Sequence, residues 1–269
     1  MGVRGLLRRI LALAAISSCA FCGSAISEET RESKLFRLLK LDGHQVRWQP
    51  PASGPRVVTY TLLTEASDFR GARNCASMTS LEGLAAASQL GMPAIRSEVG
   101  AAFAMWEAVA NIRFQEVPET AHADIYIGAQ REPDGWAFAD VFYDAAAPGP
   151  TKAISRSLVC LNPTKRWKVG FDGDLKTYDI RYTVAHEIGH AIGLDHPQGL
   201  DQMMGYRYEE RFRSLQPGDV SGAVALYGPS RAQPPTETAA SIQPAPADAP
   251  QPKAFAGSAG TRGLNTRSR

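Results

Sequence analysis

Alternating apolar and polar positions predict five β-strands in this chain. β-branched and aromatic residues dominate these stretches or alternate with polar ones, a pattern typical of strands that bury one face or both. The stretches are VVTYTLL (57–63), IRFQEV (112–117), ADIYIGA (123–129), GWAFADVF (135–142) and AISRSLVCL (153–161). We expect them to form one sheet.

Three other segments have apolar residues at helical spacing. The first begins at Ser97 as N-cap, and its apolar face is expected to pack inward. That face consists of Val99, Phe103, Trp106 and Ala110. Another helix is predicted for PGDVSGAVALYG (217–228), and a short additional one around SLEGLAAASQL in the region 64–96, which is rich in Gly and Ser.

The remaining main helix begins near Thr177 and carries two histidines. Its buried stripe is predicted to consist of Ile180, Val184, Ile188 and Ala191. His186 and His190 lie about 200° around the helix from that stripe, because each residue advances about 100°. The pattern therefore predicts that the histidines face away from the core. Five strands with three main helices indicate an α+β fold.

Composition changes at both ends of the chain. Residues 1–25 combine a basic start, an apolar run and the small residues GSA, which is typical of a signal peptide cleaved after Ala25. Residues 26–54 are polar and then rich in Pro and Gly, and we expect a short leader instead of a folded unit. Residues 229–269 are rich in Pro, Ala, Ser, Thr and Gln and are predicted to be disordered. The folded domain is then 55–228.

The signal peptide predicts a secreted or periplasmic protein. Its apolar run is too short to span a bilayer, which takes about 20 residues, so no membrane span is expected. One alternative stays open, because Ile16 to Cys19 (ISSC) loosely resembles a bacterial lipoprotein box, which would leave a lipid anchor at Cys19.

Overall composition is that of an ordinary globular protein. The chain has 269 residues, 44% of them hydrophobic and 21% charged, enough for one good-sized domain with extensions. A net charge of +2 is too slight to indicate nucleic acid or an anionic membrane as a partner. We expect a monomer.

The stretch TVAHEIGHAIGLDH (183–196) holds three of the five histidines. His186 and His190, four residues apart, stack on one face of a helix. His196 would point elsewhere in an unbroken helix, but Gly193 can adopt the left-handed conformation that ends helices and can turn the chain back. The spacing therefore predicts a metal site of three histidines.

Three neutral imidazoles with an open fourth position suit one catalytic zinc ion. Glu187 lies too close to His186 along the helix to ligate with both helical histidines, yet it can reach the water bound to the ion. It is predicted to act as the general base for amide hydrolysis. The substrate would be a peptide or protein.

HEIGHAIGLDH resembles the H-E-x-x-H-x-x-G-x-x-H signature of the metzincin zinc peptidases, and the chain is most similar to their matrixin branch. The resemblance covers roughly residues 55–228 and implies a zincin fold with a twisted mixed sheet of about five strands. It also implies zinc endopeptidase activity. QMMGY resembles the family's Met-turn, with Met204 eight residues after His196, where methionine forms an apolar floor beneath the zinc.

The chain departs from the family's pattern in several places. Matrixins usually carry a second, structural zinc, and the strand positions of its ligands are taken here by Phe138 and Cys160, so that site is expected to be absent. Calcium loops are not recognisable, although Asp172 and Asp174 could bind an ion. Tyr206 is a candidate to contact the zinc or the tetrahedral intermediate, as in other metzincin branches.

Two questions stay open at this point. Cys75 and Cys160 are the cysteines that remain after cleavage, and we expect a disulfide, with two free thiols as the alternative. The rival function is an exported, non-catalytic zinc-binding protein for interaction or adhesion on the same fold. The intact Glu187 argues against the loss of catalysis.

Overall fold

The structure is a computed structural model that describes residues 35–199 and 201–230. The predicted signal peptide and all but the first two residues of the predicted tail lie outside these residues. Within the described part, no helix is both long and apolar enough to cross a membrane.

Six strands come first along the described part of the chain, followed by two helices, six further strands, a third helix, one short strand and a last helix. The strands are β1 (Arg37–Leu38), β2 (Lys40–Leu41), β3 (His44–Arg47), β4 (Arg56–Leu62), β5 (Ser67–Asp68), β6 (Ser77–Thr79), β7 (Ile112–Glu116), β8 (Ile125–Gln130), β9 (Ala137–Tyr143), β10 (Thr151–Leu161), β11 (Trp167–Lys168), β12 (Tyr178–Asp179) and β13 (Leu194–Asp195). The helices are α1 (Glu82–Ala87), α2 (Met92–Val109), α3 (Ile180–Ala191) and α4 (Pro217–Tyr227).

Five strands of a nine-stranded sheet lie in the order β9, β10, β8, β4, β7, and the short strands β2, β3, β5 and β6 complete the sheet. Within the set of five, β10, β8, β4 and β7 run parallel to one another, and β9 runs antiparallel to β10. These are the five predicted strands, each within two residues of its predicted ends. The prediction of a mixed α+β fold with three main helices is confirmed, and the short helix in the region 64–96 is α1.

The predicted starts of two helices are wrong, by about one turn for α3 and by less than two turns for α2. α2 begins at Met92 after the N-cap Gly91, not at Ser97, because Pro93 fits the first turn, where no backbone N–H is needed. α3 begins at Ile180, not near Thr177, because the Asp179 carboxylate caps the helix by accepting from the backbone N–H of Tyr182 at 2.8 Å.

Helix α3 is buried on more of its surface than the predicted apolar stripe. Its predicted stripe is fully buried, but Ala185 and Glu187 are buried as well. The helix packs against α2 and against the strands β9 and β10. The histidines are only partly buried because they face a cleft, and not because they face open solvent.

The prediction of a leader outside the fold is wrong for residues 37–48. Asp42 and Gly43 both have positive φ, 49° and 81°, and make a two-residue turn between β2 and β3. β3 pairs in parallel with the first residues of β10. Val46 in β3 is completely buried, and Trp48, just after the strand, is 1% exposed. Sheet pairing and apolar burial therefore make this segment part of the domain.

The segment between β4 and α1 includes β6, which pairs with the last residues of β8. Cys75 and Cys160 form the expected disulfide, which ties this segment to β10. A small apolar cluster surrounds the bond and includes Leu63, Phe69 and Met78. Cys160 pairs directly with Phe138 across β9 and β10, so the two residues assigned to the second-zinc positions are neighbours.

Candidate metal centre

Three histidines meet at the end of α3. His186 and His190 lie one turn apart on the helix, and Gly193, with φ of 107°, reverses the chain so that His196 returns to them. The Nε2 atom of His196 lies 3.0 Å from Nε2 of His186 and 3.1 Å from Nε2 of His190. The structure thus brings together all three predicted ligands.

Backbone carbonyls set the protonation of the two helical rings. Nδ1 of His186 donates to the carbonyl oxygen of Met203 at 2.7 Å, and Nδ1 of His190 donates to that of Leu194 at 2.8 Å. Since a carbonyl only accepts, each Nδ1 carries the proton, which leaves a bare lone pair on Nε2. Two such lone pairs then point at a common centre, an arrangement that a cation stabilises.

The electrostatics favour neutral rings, as metal ligands require. Burial, and then the neighbouring imidazoles, hold the pKa of His186 well below its ordinary value. The same two causes lower the pKa of His190 to about 4. Burial lowers the pKa of His196 as well. The unprotonated form is therefore available at neutral pH.

The donor set fits zinc. Tetrahedral zinc with Zn–N bonds of about 2.0–2.1 Å separates its nitrogen ligands by roughly 3.3 Å, close to the distances found here. Within residues 35–199 and 201–230, this is the one group of three or more His, Cys, Asp or Glu residues placed to hold a metal ion. Three protein ligands leave a coordination position open for water or substrate.

Glu187 lies on the same helix and lines the same cavity. Its side chain is buried, at 7% exposure, and that burial raises its pKa to about 8. A divalent cation beside the carboxylate would oppose this shift, because it favours the charged form. Two factors would therefore set the pKa of Glu187: its burial, and a cation bound by the histidines.

Met204 packs beneath the histidine helix, as predicted for the Met-turn. A Cβ atom on Gly189 would lie 2.2 Å from the Met204 sulfur, so the methionine contacts the helix between the two histidines. The buried carboxylate of Asp219 accepts from the backbone N–H groups of Met203 and Met204, each at 2.9 Å. The same turn therefore supplies the apolar floor and the carbonyl that orients His186.

A cavity of about 760 Å³ opens over the three histidines. One wall is β9, which within the described residues pairs only with β10 and so has a free edge. The rim above it is formed by residues 71–74, where Asp140 accepts backbone hydrogen bonds from Arg73, Asn74 and Cys75 at 2.7–2.9 Å. The cleft is therefore a long groove along a strand edge.

An aromatic stack stands at the start of β9. Trp136 stacks on Tyr178 at 3.7 Å between ring centroids, and Tyr178 stacks on Tyr208 at 4.1 Å. The Tyr208 hydroxyl accepts from the backbone N–H of Asp179 at 2.9 Å. Arg213 also binds the Asp179 carboxylate, at 2.8 Å. These contacts fasten the segment after the Met-turn to the N-terminus of α3.

The other candidate residues are placed less directly. Tyr206 lines the cleft but is 60% exposed, and it makes no hydrogen bond to the histidines or to Glu187 among the described residues. Asp172 contacts the ammonium of Lys168, which also donates to the carbonyl of Asp174 at 2.8 Å. The lysine supplies the positive charge that an ion at these two aspartates would otherwise supply.

Sequence reasoning missed one part of the cleft. Leu39 and Leu41 line the cavity beside His196, although they belong to the segment predicted to be a leader. One signal was present, because Asp42-Gly43 is a dipeptide that favours two-residue hairpin turns. It would have predicted the hairpin but not its position next to the histidines.

Comparisons with known proteins agree with this geometry. The family model described as Matrixin matches residues 82–228. Matrix metalloproteinase-19 of Mus musculus is 28% identical over 149 residues, 52% of this chain and 26% of that protein. Metalloendoproteinase 1-MMP of Arabidopsis thaliana is 32% identical over 138 residues, 48% of this chain and 36% of the relative. Stromelysin-3 of Homo sapiens is 30% identical over 150 residues, 52% of this chain and 28% of its own length. The chain spans about a quarter to a third of the length of these relatives.

Proposed function

The chain belongs to the matrixin family, and from that premise we propose that it is an exported zinc-dependent endopeptidase that hydrolyses peptide bonds. The observation that carries the proposal is the convergence of three histidine Nε2 atoms in the cavity that the buried Glu187 also lines. The free edge of β9 supports a peptide substrate, because an extended peptide can add to a strand edge by main-chain hydrogen bonds.

His186, His190 and His196 would hold the zinc ion. When bound, the ion lowers the pKa of the attacking water from 15.7 to about 7 and polarises the peptide carbonyl. Glu187 accepts a proton from that water as the new C–O bond forms. It then donates the proton to the nitrogen of the leaving amine as the C–N bond breaks.

Burial suits Glu187 to both steps. A carboxylate with an unperturbed pKa near 4.3 is a weak proton donor at neutral pH, whereas a higher pKa allows it to hold the proton and release it. The Nδ1–H bonds to the Met203 and Leu194 carbonyls keep the helical histidines in the tautomer that can ligate. Each group therefore has one role in the reaction.

We also propose the chain's cellular context from its sequence. Residues 1–25 act as the export signal, so that the mature protein works outside the cytoplasm as a monomer on peptide or protein substrates. The disulfide between Cys75 and Cys160 supports an oxidising compartment.

A peptide-library assay with metal control tests the proposal. Purified mature chain should cleave internal bonds of extended peptides and contain one zinc ion per chain. A chelator should abolish cleavage, and added zinc should restore it. Zinc binding without cleavage of any library member would favour the non-catalytic zinc-binding alternative.

A further inference from the structure

The residues 37–47, which we call the N-terminal strap, form one end of the cleft. They lie outside the span that matches the Matrixin family model, which starts at residue 82. Two of them, Leu39 and Leu41, nevertheless line the same cavity as the three histidines and Glu187. The end wall of the cleft is therefore formed by residues that the family model does not cover.

The strap is fixed at both of its ends. β1 pairs antiparallel with β13, the two residues that precede His196, and the backbone N–H of Leu39 donates to the carbonyl of Gly193 at 2.8 Å. Further along, β3 pairs with β10. The wall is thus attached to the turn that positions the third ligand.

The strap presents an apolar surface to the cleft. Leu39, between β1 and β2, and Leu41, at the end of β2, both line the cavity, and both are only partly buried. The two acidic groups nearby are already engaged. Asp195 binds Arg37 at 3.1 Å and the backbone N–H of His196 at 2.8 Å, and Asp42 accepts from the Tyr143 hydroxyl at 2.6 Å.

The wall lies at the end of β9 opposite the aromatic stack. Tyr143, the last residue of β9, contacts the strap through Asp42, whereas Trp136 precedes the first residue of β9. A peptide that lies along β9 and crosses the zinc site would therefore direct its two halves toward different walls. The strap would contact residues on one side of the cleaved bond only.

From these contacts we infer that Leu39 and Leu41 form a specificity pocket for a large apolar side chain of the peptide substrate, on the Tyr143 side of the cleaved bond. This inference rests on the proposed endopeptidase function. The pocket selects its substrate by apolar contact, because the nearby carboxylates of Asp42 and Asp195 are occupied by internal partners.

Cleavage profiling of strap variants tests the inference. The mature wild type and the double variant Leu39→Ala/Leu41→Ala are compared on one library of extended peptides. We expect the preference for Leu, Ile, Met or Phe to weaken at one position on one side of the cleaved bond. For a peptide with Leu at that position, kcat/KM should fall about 10-fold or more, since even one missing methylene in an apolar pocket costs roughly 10-fold. Preferences on the other side should stay unchanged.

Leu38→Ala is the matched control. Leu38 is also a partly buried leucine of the strap, but it does not line the cavity, so the profile of this variant should match the wild type. Leu41→Trp tests the same wall in the opposite direction, because it adds volume, and it should shift the preference at the same position toward Ala and Gly. It also serves if the double variant does not fold.

Three outcomes would overturn the inference. An active wild type whose profile is unchanged in both the double variant and Leu41→Trp would refute the pocket and leave the endopeptidase function standing. An equal change in Leu38→Ala would assign the effect to a loosened strap. A wild type that binds zinc but cleaves no peptide would refute the function and the pocket together.

Discussion

The histidine segment and the N-terminal strap meet at the same turn, yet they are built in different ways. The histidine segment is a local motif, in which the three proposed ligands and the proposed base fall within eleven residues. The strap carries no chemical motif and reaches the cleft only through pairing with residues about 110 and 155 positions away. The candidate metal site is therefore encoded locally, whereas the shape of the cleft depends on long-range packing.

The turn at Gly193 is where the two regions depend on each other. A Cβ atom there would lie 2.3 Å from the carbonyl oxygen of Val46, in the strap, and the φ of 107° is one that side chains rarely tolerate. The metal site therefore needs a glycine for the return of His196, and the strap needs it for close approach. Separating the two regions by mutation tests this account.

Removal of a ligand should have the largest effect and should leave the strap in place. In His196→Ala, two protein ligands remain, so the purified protein should lose most of its zinc and more than about 100-fold of its cleavage rate, since outer-shell changes alone cost 10–100-fold. Metal analysis and peptide cleavage measure both losses. Leu41→Ala, as the strap counterpart, should keep full zinc occupancy. Full occupancy in His196→Ala would refute the ligand assignment.

A side chain larger than hydrogen at Gly193 should disturb both the histidine segment and the strap. Gly193→Ala should lower the free energy of unfolding by about 2–6 kcal/mol, because left-handed strain and overpacking each cost about 1–3 kcal/mol. Urea unfolding measures the change. Gly54→Ala is the matched control, since Gly54 has a φ of 79° but open space around its Cα, and it should show the strain alone. Equal losses in the two variants would contradict close contact between the strap and the turn.

Loss of the disulfide should loosen the rim of the cleft without touching the metal site. Cys75 and Cys160 are 85 residues apart, so the double variant Cys75→Ala/Cys160→Ala should lose about 2–4 kcal/mol of unfolding free energy. Zinc content should remain at one ion per chain. A loss of zinc at a temperature where the variant is folded would show that the rim supports the histidines directly.

Truncation after Ser230 should have the smallest effect. The residues beyond it contain too few large apolar side chains to contribute to a core. The shortened chain should unfold within about 2 °C of the full chain, which is about 1 kcal/mol or less for a domain of this size, and should cleave peptides at the same rate. A clearly lower midpoint in a thermal unfolding scan would show that the tail packs on the domain.

Much of the fold could be predicted because its signals are periodic. The five strands of the central sheet and the apolar faces of α2 and α3 follow from spacing alone, and their residues are buried as the pattern predicts. The ends of helices and strands were less predictable. The Asp179 carboxylate, for example, caps α3 and also binds Arg213, which lies 34 residues away in the sequence. The extensive burial of α3 results from its packing against β9 and β10, which the residue pattern within the helix cannot predict.

The site divides in the same way. The convergence of the three histidines, with Glu187 in the same cavity and Met204 beneath the helix, could be predicted because metal chemistry restricts both residue type and spacing. Leu39, Leu41 and Asp140 could not, because leucines and aspartates occur throughout the chain and only tertiary pairing brings these three to the cleft. The Asp140 carboxylate accepts hydrogen bonds from the backbone of the rim, such as the N–H of Asn74.

The most direct test of the central claim is the variant Glu187→Gln, measured for zinc content and peptide cleavage on the same preparation. We expect one zinc per chain to remain, since Glu187 is not among the proposed ligands, while cleavage falls by about 10² to 10⁴-fold through loss of the general base. Cleavage at close to the wild-type rate with zinc retained would contradict the role of Glu187, and loss of zinc would contradict the assignment of the three histidines as the complete ligand set.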